Sequence, residues 1–137
     1  MLVTDLPAGS DSELERLLTE SPLDLIRLIA PTTRPERVVE IARASTGFLY
    51  YVSRTGVTGA REKLGENLRT EVEQIRAVTD LPIAVGFGIS SPEQAATVAA
   101  FADGVIVGSA LVDALSHGGV EAAGRLVEAL HAASRRA

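Results

Sequence analysis

Cysteine is absent from the 137-residue sequence, which excludes disulfide bonds and any thiolate metal site. Tryptophan is absent as well, and two Tyr and three Phe make up the whole aromatic complement, so a core has to be aliphatic. Histidine occurs only as His117 and His131, in the terminal helical region and too isolated for a metal site. No apolar run approaches the ~20 residues that span a bilayer. The opening Met1-Leu2-Val3-Thr4-Asp5 has neither the basic nor the long apolar region of a secretory signal. Positive charge is in deficit, 13 Lys and Arg against 18 Asp and Glu for a net charge of -5. That balance argues against a nucleic-acid or anionic-membrane surface. The expected setting is the cytoplasm, with no nucleic-acid and no membrane partner.

What is present is a sequence with 46% hydrophobic residues, enough to fill the core of one domain over residues 1–137. Met1 to Pro7 reads as a strand. Ser10-Asp11-Ser12-Glu13 reads as a cap and first turn, followed by Leu14, Leu17 and Leu18 at helical spacing. Leu23 to Ala30 reads as a second strand, stopped by Pro31, and Thr33-Arg34-Pro35-Glu36 opens a helix. Gly47 to Ser53 reads as a third strand, residues 54 to about 64 as a long loop, and Asn67 to Val78 as a helix. Leu81 to Ile89 and Asp103 to Ala110 supply two more strand-glycine-helix units, and Val120 to Ser134 a last amphipathic helix. Strict alternation of strand and helix calls for a parallel sheet with right-handed crossovers. The expectation is an α/β fold of five βα units.

The last two of those units carry the functional signal. Gly86 and Gly88 end one strand before the helix start Ser90-Ser91-Pro92-Glu93-Gln94, and Gly108-Ser109 ends the next. Strand ends and helix N-termini of this kind expose backbone N–H groups that bind phosphate without a charged side chain. Taken singly, Gly86 and Gly88 are equally explained by a tight turn, and Ser109 by a helix cap.

Several segments, in order along nearly the whole chain, resemble the C-terminal part of the tryptophan synthase alpha subunit. They are Thr4-Asp5-Leu6-Pro7, Leu28-Ile29-Ala30-Pro31-Thr32, Tyr50-Tyr51-Val52-Ser53-Arg54-Thr55-Gly56-Val57-Thr58-Gly59-Ala60, Pro82 to Ser90, and Gly104-Val105-Ile106-Val107-Gly108-Ser109-Ala110. The Ser53 to Ala60 loop is the most specific of these. The resemblance implies strands four to eight of a (β/α)8 barrel, hence a partial TIM barrel, whose family cleaves indole-3-glycerol phosphate into indole and glyceraldehyde 3-phosphate. It also implies a partner β subunit that carries pyridoxal phosphate, so no cofactor is expected on this chain.

By the same resemblance Gly59, Gly86, Gly88, Gly108 and Ser109 hold phosphate, while Ile29, Tyr50, Thr58 and Phe87 line the substrate pocket. Asp5 takes part in communication between subunits, and Arg54 is a candidate lid anchor. The residues allow plainer roles: core packing for Ile29, Tyr50 and Phe87, a turn for Asp5, a solvated charge for Arg54. The family's catalytic Glu and Asp, on strand two and the loop after it, have no counterpart here, so no catalytic residue is expected in this chain and unaided turnover is not. Arg27 stands where an apolar residue is expected, a hint of an interior that is not normally packed.

Five βα units cannot close an eight-stranded barrel, and they leave raw strand edges. Completion by an N-terminal half-barrel, pairing of two copies, and flattening of the sheet are the three physical outcomes. A curved partial barrel is the expected one. The functional alternatives are a lyase fragment, a non-catalytic phosphate-binding half-barrel or partner scaffold, and a truncated product without independent role.

Overall fold

A computed structural model describes residues 1–4, 6–53, 61–86 and 88–135, with backbone alone for 61–66. Helix α1 spans Ser12–Glu20, strand β1 Arg27–Ile29, α2 Pro35–Arg43, β2 Leu49–Val52 and α3 Arg61–Arg76. Then come β3 over Ile83–Gly86, α4 over Pro92–Ala99, β4 over Gly104–Ile106 and α5 over Ser109–Ser134. The strands pair in the order β1-β2-β3-β4, all parallel.

Local chemistry explains the helix starts. Asp11 caps α1 by accepting the Leu14 N–H at 2.9 Å. Pro35 sits in the first turn of α2, where its missing N–H costs nothing. Ser91 and Gln94 form a reciprocal capping box at α4. Helix α5 is two helices in sequence, broken at Gly119, whose φ of 68° is open to glycine at no steric cost. The second piece coincides with the expected Val120 to Ser134. Helix α3 starts at Arg61, six residues ahead of the expected Asn67.

Register assigns the two faces of the sheet. Ile29, Tyr51, Val85 and Val105 form one row across the strands, and Leu28, Tyr50, Ala84 and Gly104 the neighbouring row. The first row and its companions Leu49 and Ile83 face the helices, and Ile29, Leu49, Tyr51, Ile83 and Val85 are all buried. Val72 and Ile75 of α3, Ile41 of α2 and Ala95 and Val98 of α4 complete that core. Each such aliphatic side chain contributes about 1.5–3 kcal/mol. Tyr51 keeps its hydroxyl satisfied there by donating to Glu71 of α3 at 2.7 Å. Burial and that carboxylate raise the pKa of the hydroxyl well above its ordinary value. On the other face Leu28, Tyr50 and Val52 are only half-buried.

The sequence leads to an expectation of five strands; four form among the described residues. Met1 to Pro7 contributes only a single parallel bridge between Leu2 and Ile26, with the Ile26 N–H donating to the Met1 carbonyl at 2.8 Å. The physical reason lies in what takes its carbonyls. The Leu6 carbonyl accepts from the guanidinium of Arg27 and the Pro7 carbonyl from the Ser10 N–H. Arg37 takes the Ala8 carbonyl just beyond, and Pro7 has no N–H to give to a ladder. Arg27 also corrects an expectation. It is buried on the helix side of the sheet and fully engaged, so it reports no defect of the interior.

Candidate functional site

Strands β2, β3 and β4 end together, and the site is assembled just past those ends. At the end of β3, Gly86 lies under the ring of Tyr50. A Cβ built on Gly86 would stand 2.6 Å from the Tyr50 hydroxyl, 2.8 Å from its Cε2 and 3.0 Å from Cβ of Ile106. Absence of a side chain there lets the tyrosine lie across the strand. Two residues on, Gly88 adopts a φ of 74°, a left-handed conformation that turns the chain toward α4.

The two helix N-termini near this point differ. At α4, Gln94 Oε1 accepts the N–H groups of Ser90 at 2.7 Å and Ser91 at 3.2 Å, and Ser91 Oγ accepts that of Gln94 at 3.4 Å. That terminus is closed by its own side chains. At α5 the cap residue is Gly108, which has no side chain to fold back, and Ser109 is the first helical residue rather than the cap. Its first intrahelical donors are Leu111 and Val112, both to the Gly108 carbonyl. The N–H groups of the first turn ahead of them are therefore open, with the positive end of the helix dipole behind them.

A cleft of about 690 Å³ joins these parts, lined among others by Tyr50, Gly88, Ile106, Gly108, Ser109 and Asp113. The structure thus brings Tyr50, Gly88, Gly108 and Ser109 to one place, with Gly86 against Tyr50. Ile29 is separated from them. It is 1% exposed in the helix-side core, in the row of Tyr51, because neighbouring positions on a strand point to opposite faces. Asp5, Arg54, Thr58, Gly59 and Phe87 lie outside the described residues. Asp113, Ser90 and Ile106 line the cleft without having been singled out in sequence. Asp113 was legible in principle, being one helical turn beyond Ser109. Among the described residues no group of His, Asp and Glu is placed to hold a metal ion. No helix is long and apolar enough to cross a membrane.

A parallel sheet covered by helices on one face, with glycine turns and an open helix N-terminus past its strand ends, defines a portion of a (β/α)8 barrel. The sequence model of the tryptophan synthase alpha chain family matches residues 1–135, and the chain belongs to that family. The tryptophan synthase alpha chain of Acidiphilium cryptum is 49% identical over 118 residues, 86% of this chain and 43% of that protein. That of Gloeobacter violaceus is 53% identical over 117 residues, 85% of this chain and 42% of that one. Among solved structures, a tryptophan synthase of Mycobacterium tuberculosis superposes with a TM-score of 0.86 and 40% identity, covering 99% of this chain and 51% of that one. The alpha subunit of Legionella pneumophila gives 0.80 and 35%, covering 97% and 50%. The chain therefore spans roughly half the length of the relatives it matches.

Proposed function

We propose that this chain is the phosphate-holding portion of an indole-3-glycerol phosphate lyase of the tryptophan synthase alpha type, acting in the cytoplasm in tryptophan biosynthesis. The observation that carries the reading is the shared cleft in which Tyr50 faces Gly88, Gly108 and the open first turn of α5. The phosphate ester docks on the N–H groups at Gly88, Gly108 and Ser109, where backbone dipoles meet its charge. The ring of Tyr50, held over Gly86, borders the part of the cleft that takes the indole. By family resemblance Gly59, Thr58 and Phe87 complete the phosphate and substrate contacts, and Asp5 communicates with a β subunit that carries pyridoxal phosphate and consumes the indole. Ile29 supports this site from behind the sheet rather than as a wall.

Carbon–carbon cleavage needs a group to protonate the indole ring and another to take a hydroxyl proton. Both are assigned to polypeptide outside these 137 residues, the family's strand-two Glu and the Asp after it. Two measurements test the reading. Glycerol 3-phosphate at 100 times its Kd is expected to stabilise the chain by about 2.7 kcal/mol, read as a rise in Tm. Indole release from indole-3-glycerol phosphate is expected to be nil for the chain alone and to appear when the first three βα units are supplied. No Tm rise rejects the phosphate site. Unaided turnover rejects the assignment of the acid and base. A Tm rise with no indole release under complementation leaves the non-catalytic binding module as the function.

A further inference from the structure

Arg27 occupies the helix-side row of β1, paired in register with Leu49, where its neighbours are apolar and it is 7% exposed. A guanidinium in such a place is costly unless every direction is satisfied. Its Nε donates to the Ala44 carbonyl just beyond α2 at 3.1 Å, its Nη1 to the Leu6 carbonyl at 3.2 Å, and its Nη2 to Glu15 Oε1 of α1 at 2.8 Å. The same Glu15 oxygen accepts the Gly9 N–H at 2.8 Å. Arg37 of α2 donates to the Ala8 carbonyl with one nitrogen and to Glu40 with the other. Backbone groups of Leu6, Ala8 and Gly9 are thus held by side chains from three elements. The strand ladder contributes only the bridge at Leu2.

We infer that Arg27, Glu15 and Arg37 form a charge-closed clamp that positions residues 6–9, and that the clamp opens when Glu15 loses its charge. Glu15 is its centre because one oxygen joins a backbone N–H of the clamped segment to the buried arginine. Protonation removes the counter-charge of Arg27, whose side chain is only 6% exposed. The charges acting on Glu15 among the described residues are Arg27 from β1 and Arg37 from α2. The neighbouring acids Glu20 and Glu40 are occupied with Arg16 and Arg37. The Gly9 N–H and Arg27 hold the Glu15 carboxyl below its ordinary value of 4.5, so the clamp is closed at neutral pH. It opens as pH falls through that lowered value.

Residue-resolved amide exchange on the full chain tests it. In Glu15→Gln, a nearly isosteric change at a partly exposed position, the Gly9 amide is expected to lose about tenfold or more of its protection. The Tyr51 and Val85 amides of the core are expected to stay unchanged. Arg27→Lys, which keeps one charge but loses the planar fork, is expected to fall between wild type and Glu15→Gln at Gly9. In the wild type, Gly9 protection is expected to drop with acid before that of Val85. Unchanged Gly9 exchange in Glu15→Gln overturns the clamp, and so does loss of protection at Val85 in step with Gly9. Glycerol 3-phosphate stabilisation, measured on the same proteins, is expected in both wild type and Glu15→Gln. Its absence from both rejects the phosphate site and leaves the clamp standing.

Discussion

At the scale of single residues, two glycines shape the cleft in different ways. Gly86 is required by a neighbour: the Tyr50 ring fills the volume a side chain would need. Gly88 is required by its own backbone, at a φ of 74°. Gly86→Ala is expected to displace Tyr50, because the atoms struck are the far end of that ring. The resulting stability loss is about 1–3 kcal/mol, read by urea denaturation. On the proposed reading the anion docks on the N–H groups of Gly88, Gly108 and Ser109, so stabilisation by glycerol 3-phosphate is expected to persist; its loss would return Gly86 to the phosphate contacts the family resemblance implies. A second substitution, Tyr50→Ala, is expected to recover most of the lost stability in a double-mutant cycle. Strict additivity of the two changes would show that the ring does not lie across Gly86.

At the scale of elements, the two strand-glycine-helix units that look alike in sequence part company. Both read as helix starts able to face an anion, and in the first a Ser cap followed by Pro92 was legible, whereas the part played by Gln94 emerges in the structure. What the letters did not convey is that a good cap uses up the donors an anion would need. Ser91→Ala is expected to cost about 1 kcal/mol in denaturant unfolding, the usual loss of a cap. Glycerol 3-phosphate binding is expected to persist, because the proposed docking uses the open end of α5 and that of α4 is closed by its own cap. A binding loss as large as that from altering Ser109 would place the anion at α4 instead. The same scale explains the first strand. Met1 to Pro7 reads as a strand, yet Arg27 takes the carbonyl of Leu6, and Arg37 that of Ala8 just beyond the segment. No pattern of apolar spacing reveals a competitor for backbone hydrogen bonds from residues about 20–30 positions away.

At the scale of the whole molecule, the accessible surface is 8651 Å². A folded monomer of 14.4 kDa exposes about 6,800 Å² by the usual scaling with mass. The excess fits what register shows: one face of the sheet is packed on helices and the other, with Leu28, Tyr50 and Val52, is half-buried. Helix α1 buries none of its residues fully, and Leu14 and Leu17 are exposed. Patches of this kind mark surfaces made to be covered. The native chain is therefore expected to bind a hydrophobic dye such as anilinonaphthalene sulfonate, and supplying the first three βα units is expected to suppress the fluorescence. A native chain that leaves the dye dark would show that this face is already closed.

Sequence by itself determined the parallel α/β order, the family, and the two glycine-bearing strand ends, because these depend on near neighbours: period, caps, and turns that only glycine makes without strain. Tertiary structure alone decided which helix end stays open, which face Ile29 joins, and why an arginine is tolerated inside the sheet. The first turns on whether side chains at the cap fold back onto their own donors, the second on strand register, and the third on hydrogen-bonding groups that arrive from distant segments. Such partners meet only once the strands are in register.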